Sequence, residues 1–418
     1  MDTSTRENYS WLLSEAAIPL LRQAADSFGA NESVVRLAQL LRKAVSSNRA
    51  AIVMEQAQLR LRAEAKFPDA RAMFFTKRGL EQATGQELAI YKAARFSGCE
   101  HVADICCGIG GDLLALRDRN DSAASAATGV DADELTAMFA RHNMNVIGSS
   151  GGGRAEVLFR KFESMPVDRF DGIHADPDRR GSAANFRRTV HGGQFEPSLG
   201  HLFERSGDVG LVAIKVAPAT PVSNDWPKSI EREWIGDRRE CKQQVIWRGE
   251  YVERVCHRTA TCVDKAGTVA SFSVPDSAVD VRLPIADSIG DWIYEPHPAV
   301  LAAGLGAALG RDLDLRPLAT DVAYLTGGKV LHPLLQSFKV TKFLPLNLKK
   351  VTAELRLMDV DTLEVKRRGV EQAVGDQFMK LKFSGNQPAT VLLTKLDGRR
   401  IAIIARRESG YMDNRGLQ

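Results

Sequence analysis

From about residue 98 to residue 275 the chain alternates short apolar runs with stretches of helical spacing, and no other feature restricts its fold as strongly. HVADIC, ATGVD, AEVLFRKF, FDGIHADP and GLVAIKVAP read as five strands, with DLLALRDR and ADELTAMFARHNMNV as helices after the first two. Consecutive strands joined through helices run parallel, so this segment predicts an α/β fold with a mainly parallel, Rossmann-like sheet covered on both faces. QQVIWRGEYVERV, TATCVDKAG and ASFSV alternate with period two and read as hairpin-like strands at a mixed edge.

The flanks read differently. Residues 1–95 place Val34, Leu37, Leu40 and Leu41, then Leu59 and Leu61, at helical spacing and form an N-terminal helical region. It closes with LEQATGQELAIYKAARF, where Thr84 is positioned to cap a helix carrying Leu88, Tyr91 and Ala94 on one side, with Glu87 completing a capping box. The sheet domain is expected over 96–278. Beyond it, residues 279–418 start a helix after the two prolines of DWIYEPHPAVLAAGLGAALG. They continue with short strands in KVLHPLLQSFKV, LEVKRRG, FMKLKFSG, ATVLLTKL and RRIAIIARR, which together suggest a separate α+β domain.

Composition removes several classes. With 418 residues and 44% hydrophobic content the chain can bury two or three cores, yet no apolar run approaches the roughly 20 residues of a bilayer span. MDTSTRENYS has no basic segment followed by an apolar one, so a cytoplasmic protein without membrane association is expected. Six cysteines, none in a C-x-x-C pair, imply no disulfide framework, and Cys241, Cys256, His257 and Cys262 match no usual zinc spacing; no metal is expected. Between Lys339 and Arg407, fifteen Lys and Arg well outnumber Asp and Glu. Together with the Lys366-Arg367-Arg368 triplet and with Arg187, Arg188 and His191, this suits either a polyanion surface or an ordinary solvated face.

The first strand runs into a glycine turn, VADICCGIGGD at 102–112. Glycines here remove Cβ atoms where a ligand approaches backbone. A Walker-type phosphate loop is excluded, because no Gly-Lys-Ser/Thr follows and Asp112 opens the helix; a dinucleotide fingerprint needs G-x-G-x-x-G, a spacing that is absent. The remaining reading is S-adenosylmethionine in a class I methyltransferase fold. Asp104 would hold the methionine ammonium, the loop positions Cys106, Gly108, Gly110 and Asp112 would line the cofactor, and the Cys106 and Cys107 thiols read as polarizable packing. Asp131, 27 positions after Asp104, would accept the ribose hydroxyls at the end of the second strand. Phe162 and Glu163 would meet the adenine after the third, and His174-Ala-Asp176-Pro177-Asp178-Arg179-Arg180 would form the acceptor loop after the fourth.

DICCGIGGD, the following VD and ADPDRR resemble class I S-adenosylmethionine-dependent methyltransferases of the group that includes the trimethylguanosine synthases. LEQATGQELAIYKAARF, DPDRR, YEPHPAVLAAGL and LEVKRRG further resemble bacterial methyltransferases with a C-terminal THUMP-like domain, a likeness spanning about residues 70–410. The resemblance implies structured RNA as partner, Thr84 and Gln82 closing over the cofactor, and Asp176, Pro177 and Asp178 as the catalytic loop. One departure stands out. Methyltransferases of exocyclic base amines carry Asp/Asn-Pro-Pro-aromatic, whereas Asp178-Arg179 occupies the last two places here, so that the stacking ring is missing unless Arg179 or Arg180 stacks instead. A non-catalytic RNA-binding module and a small-molecule or protein methyltransferase therefore remain open alternatives.

Overall fold

The computed structural model describes residues 1–120, 125–149, 152–179, 195–223 and 225–411. Arg180, Arg187, Arg188 and His191 lie outside them. The chain divides into two compact units: Met1–Val216 with Thr220–Lys228 and Ile246–Glu253, and Ala217–Ala219 with Ser229–Val245 and Arg254–Gln418.

The first unit opens with six helices, α1 (Thr3–Leu12), α2 (Ile18–Gly29), α3 (Val34–Ala44), α4 (Ser47–Ala63), α5 (Lys77–Gln82) and α6 (Gln86–Ala94). Leu12, Leu21, Leu37, Leu41 and Val53 bury a common apolar cluster that includes Phe74 and Phe139, while Val34, Leu40 and Leu61 stay on the outer faces. Helix α6 begins later than the sequence reading places it: Gly85 is its cap, and its buried face is Leu88, Ala89, Lys92 and Ala93 rather than Leu88, Tyr91 and Ala94. Thr84 does not cap it, because its hydroxyl is committed elsewhere.

Then follow β1 (His101–Ile105), α7 (Gly111–Arg117), β2 (Ala126–Asp131), α8 (Glu134–Val146), β3 (Arg154–Phe159), β4 (Gly172–Ala175), the short pair β5 (Asp178–Arg179) and β6 (Phe195–Glu196), α9 (Leu199–Arg205) and β7 (Leu211–Val216). The predicted parallel sheet is present: β1 pairs with β2 and β4, β2 with β3 and β4 with β7, all parallel. Open sheets of this kind bind ligands at the carboxyl ends of their strands, which here is the end where β1, β2 and β4 terminate. The β1–α7 turn takes the left-handed region at Cys106, Gly108 and Gly110. Asn143 of α8, fully buried, clamps that turn by donating to the Ile109 carbonyl at 2.9 Å while exchanging hydrogen bonds with the Phe74 backbone.

The second unit holds β8 (Glu231–Gly236), most of β9 (Cys241–Arg248), β10 (His257–Val263) and β11 (Val269–Pro275). The expected hairpin is β10–β11, but β8 lies parallel to β10, which makes this edge mixed. Then come β12 (Trp292–Pro296), α10 (Pro298–Ala302), α11 (Gly306–Asp312), β13 (Arg316–Pro317), β14 (Leu325–Gly327), β15 (Leu335–Pro345), α12 (Leu348–Leu357), β16 (Val360–Arg367), α13 (Gln372–Met379), β17 (Gln387–Leu396) and β18 (Arg399–Ser409). The start of FMKLKFSG is not a strand: it ends α13, whose Phe378 packs beneath the sheet with Val391, Leu393 and Ile404, and a buried contact of that kind overrides local β propensity.

Candidate functional site

Asp104 and His174 are partners in the parallel β1–β4 register, and residues opposite one another in such a pair face the same side. Asp104 Oδ1 lies 2.7 Å from His174 Nδ1, with both side chains about 1% exposed. His174 Nε2 lies 3.0 Å from Nζ of Lys92, a lysine of α6 that is also 1% exposed. Lys92 forms an ion pair with Asp112 Oδ1 at 2.7 Å, and Asp112 Oδ2 accepts from the Thr84 hydroxyl at 2.8 Å. One buried polar chain thus links Asp104, His174, Lys92, Asp112 and Thr84. The other Asp104 oxygen, Oδ2, is buried and accepts no hydrogen bond among the described residues.

Burial sets the electrostatics. It raises the Asp104 carboxyl above its ordinary value, with His174 opposing. Burial acts the same way on Asp112, but Lys92, then His174 and Lys215, outweigh it and hold that carboxyl below the ordinary range. The Lys92 ammonium is lowered by burial, with Asp112 opposing. These directions are those expected for a water-excluded ion cluster.

Asp131 ends β2, and its carboxylate receives the Gly108 N–H at 3.0 Å and the Asp133 N–H at 2.9 Å. Burial nevertheless pushes it up to about 6, against both hydrogen bonds. A Cβ on Gly108 would meet nothing within 4 Å, which leaves open space over the turn beside Asp131. Gly110 is constrained differently: at φ +89° its Cβ would fall 2.8 Å from Met144 Cε. Cys106 and Cys107 are free thiols that burial raises well above the ordinary thiol value. Among the described residues no group of three His, Cys, Asp or Glu side chains is placed to hold a metal.

After β4, the Asp176 N–H donates to the Ile105 carbonyl and its Oδ2 lies 2.6 Å from Lys215 Nζ, presented by β7. Lys215 also donates to the Gln82 carbonyl at 3.2 Å; although burial works against it, Asp176 and Asp112 hold its ammonium above the usual value. Pro177 is buried. Asp178 is engaged by an ion pair with Arg78 and by the Gln82 amide at 3.0 Å, and its backbone pairs in β5 with Glu196 of β6.

The third strand stops at Phe159. Phe162 starts a short 3-10 turn and is buried, its ring 5.7 Å from His201 and the Arg205 guanidinium 5.2 Å from its centroid, while Glu163 is exposed. The exposed aromatic at this strand end is Phe159, 56% accessible and the register partner of Asp131. Sequence reasoning missed Phe159, Lys92 and Lys215 and named His174 only as the start of the acceptor loop. One signal was available for Lys92, which falls four residues after Leu88 on an otherwise apolar helix stripe. A groove of about 910 Å³ among the N-terminal helices, lined by Leu21, Arg60, Leu61, Phe74 and His142 among others, contains none of these site residues.

In the second unit the basic triplet is largely engaged internally. Lys366 and Arg368 both pair with the buried Glu295, Arg368 at 3.1 Å, and Arg367 donates to the Val370 carbonyl at 3.3 Å. Lys349, Lys350, Lys380, Lys382 and Arg399 are exposed.

A family described as THUMP domain-like matches residues 335–407. Two proteins from strains of Mycobacterium tuberculosis, each described as an uncharacterized S-adenosylmethionine-dependent methyltransferase, are 29% identical to this chain over 358 residues, 84% of this chain and 94% of theirs. The crystal structure of a Porphyromonas gingivalis W83 protein assigned as a methyltransferase is similar in fold, with a TM-score of 0.73 and 20% identity over 87% of this chain and 92% of that one. No helix among the described residues is long and apolar enough to cross a membrane.

Proposed function

We propose that this chain, a class I S-adenosylmethionine-dependent methyltransferase with a THUMP-like domain, methylates a nucleotide in structured RNA, residues 279–418 helping to present it. The observation that carries the reading is the buried, unpartnered Oδ2 of Asp104 at the end of β1, with Asp131 and Asp176 at the ends of the neighbouring strands.

The residues present fit this cofactor. A buried carboxylate oxygen without a donor is costly unless a ligand supplies one, and the methionine ammonium is such a donor. Asp131 retains acceptor capacity for ribose hydroxyls beside the open space at Gly108. Phe159, exposed opposite Asp131, offers an apolar surface to the adenine, with Phe162 beneath the turn and Glu163 beside it. When bound, the cofactor supplies an electrophilic methyl group on a sulfonium. Asp176, oriented by Lys215, holds the N–H or O–H of the acceptor, Pro177 stiffens the loop, and Asp178 ties the loop to Arg78 and Gln82. Exposed cations of the THUMP-like region, such as Lys349, Lys350 and Lys382, suit phosphate contact.

A second reading is favoured by one observation. Asp178 stands where amine methyltransferases place a proline before an aromatic, and its carboxylate is consumed by Arg78 and Gln82, as expected of a non-catalytic RNA-binding module. Incubation of the protein and labelled S-adenosylmethionine with total RNA from cells lacking it separates the two. Label in RNA supports methylation; cofactor binding with no label in RNA overturns it in favour of the module, or of a protein or small-molecule acceptor if label appears there.

A further inference from the structure

We infer that Lys92 is a positioning residue that reserves one buried negative charge, on Asp104, for the ammonium group of the cofactor; the inference rests on the cofactor reading above. A lysine 1% exposed on a helix face otherwise made of Leu88, Ala89 and Ala93 is costly, so its retention calls for a specific task.

Its contacts define that task. An ammonium has only donors, so His174 Nε2, 3.0 Å from Lys92 Nζ, accepts, and the imidazole proton sits on Nδ1. Nδ1–H then donates to Asp104 Oδ1 at 2.7 Å, which orients the carboxylate and leaves Oδ2 with no partner. The charges are uneven. Asp104 and Asp112 bring two carboxyl groups against the single amino group of Lys92, while the nearby Lys215 is matched by Asp176. Asp112 Oδ1 has Lys92 as its ion-pair partner, whereas Asp104 Oδ2 has neither a donor nor a cation among the described residues, and a single ligand ammonium supplies both.

Removing Lys92 undoes this selectively. Without Lys92 Nζ at Nε2, nothing fixes the ring orientation in which Nδ1–H faces Asp104 Oδ1, and the carboxylate is no longer held with Oδ2 turned to the ligand. Contacts to the adenine, ribose and thioether do not pass through His174. The loss should therefore fall on ligands with an amino-acid ammonium and spare those without one.

Isothermal titration of the full chain with S-adenosylhomocysteine and with 5′-methylthioadenosine, which keeps the thioether nucleoside but lacks the amino acid, tests this. Lys92→Met is expected to weaken S-adenosylhomocysteine at least tenfold while methylthioadenosine stays within about twofold. Should that variant fail to fold, as a melting curve would reveal, Lys92→Gln, uncharged but polar, is expected to shift affinities in the same order. Unchanged S-adenosylhomocysteine affinity, or an equal loss for both ligands, overturns the positioning role. Wild-type protein that binds neither ligand overturns the cofactor reading itself, which keeps the two failures apart.

Discussion

Asp104 and His174 stand opposite one another in β1 and β4, Oδ1 and Nδ1 2.7 Å apart, although 70 positions separate them in the chain. The contact makes Asp104 a one-sided acceptor, with Oδ1 committed to the protein and Oδ2 left over. Asp104→Asn keeps the shape but loses the charge. A hydrogen bond to a charged partner contributes about 1.5–3 kcal/mol, so calorimetry should show S-adenosylhomocysteine weakened roughly 10- to 100-fold. An unchanged affinity would remove Asp104 from the cofactor site.

Asp131 carries a pH dependence. Burial raises it to about 6, so in the free protein it gains a proton as pH falls through that value, well before an ordinary aspartate near 4 would. The protonated acid is a poorer acceptor for two hydroxyls, and affinity for S-adenosylhomocysteine should fall on going from pH 7.5 to 5.5. Asp104, also raised by burial, pushes in the same direction. Asp131→Asn should flatten the step near pH 6 and leave only the Asp104 contribution; titrations across this range in both proteins decide it.

Asp176 should separate binding from turnover. If it holds the acceptor, Asp176→Ala lowers methyl incorporation by about 100-fold or more, within the usual range for acid–base groups, while S-adenosylhomocysteine affinity moves by no more than about threefold. Comparable losses in both measurements would place Asp176 with the cofactor instead.

The two loop glycines should fail differently. Gly110 sits at φ +89° against Met144, and Gly110→Ala should cost about 1–3 kcal/mol of stability, read as a lowered melting temperature. Gly108, at φ +57° with open space at its Cβ position, should tolerate alanine better in the melt yet lose cofactor affinity, because the new methyl would enter the space proposed for the cofactor.

For the THUMP-like region, RNA affinity measured against salt tests the phosphate role. Each cation that releases a counterion contributes about 0.7 to 0.9 to the logarithmic slope, so Lys349→Gln with Lys350→Gln should reduce the slope by roughly 1.4 to 1.8. Lys366→Ala should instead lower the melting temperature, since it strips a partner from the buried Glu295. A slope untouched by the first pair would remove α12 from the RNA surface.

Much of the framework was legible because its signals are local. Period-two and helical spacing, with glycines at a turn, marked β1, α7, β2, α8, β4 and β7 to within a few residues. The ends of β1, β2 and β4 fell at or beside Asp104, Asp131 and Asp176, because a strand must stop where the turn residues begin. Local pattern failed where burial decided. Phe162 looked like the end of a strand but turns inward onto His201, and Thr84 looked like a helix cap but gives its hydroxyl to Asp112. FMKLKFSG looked like a strand although its opening residues finish a helix.

What the amino-acid order determines by itself is therefore the succession of strand, turn and helix and the acids at the strand ends, since these follow from propensity and spacing over a few residues. Only the tertiary structure decides which of those groups meet. Parallel pairing sets Asp104 against His174, helix packing carries Lys92 into the same water-excluded space as Asp112, and β7 brings Lys215 to Asp176. Those contacts join residues 20 to 70 positions apart, and their strength comes from exclusion of water, which exists only once the chain has closed around them.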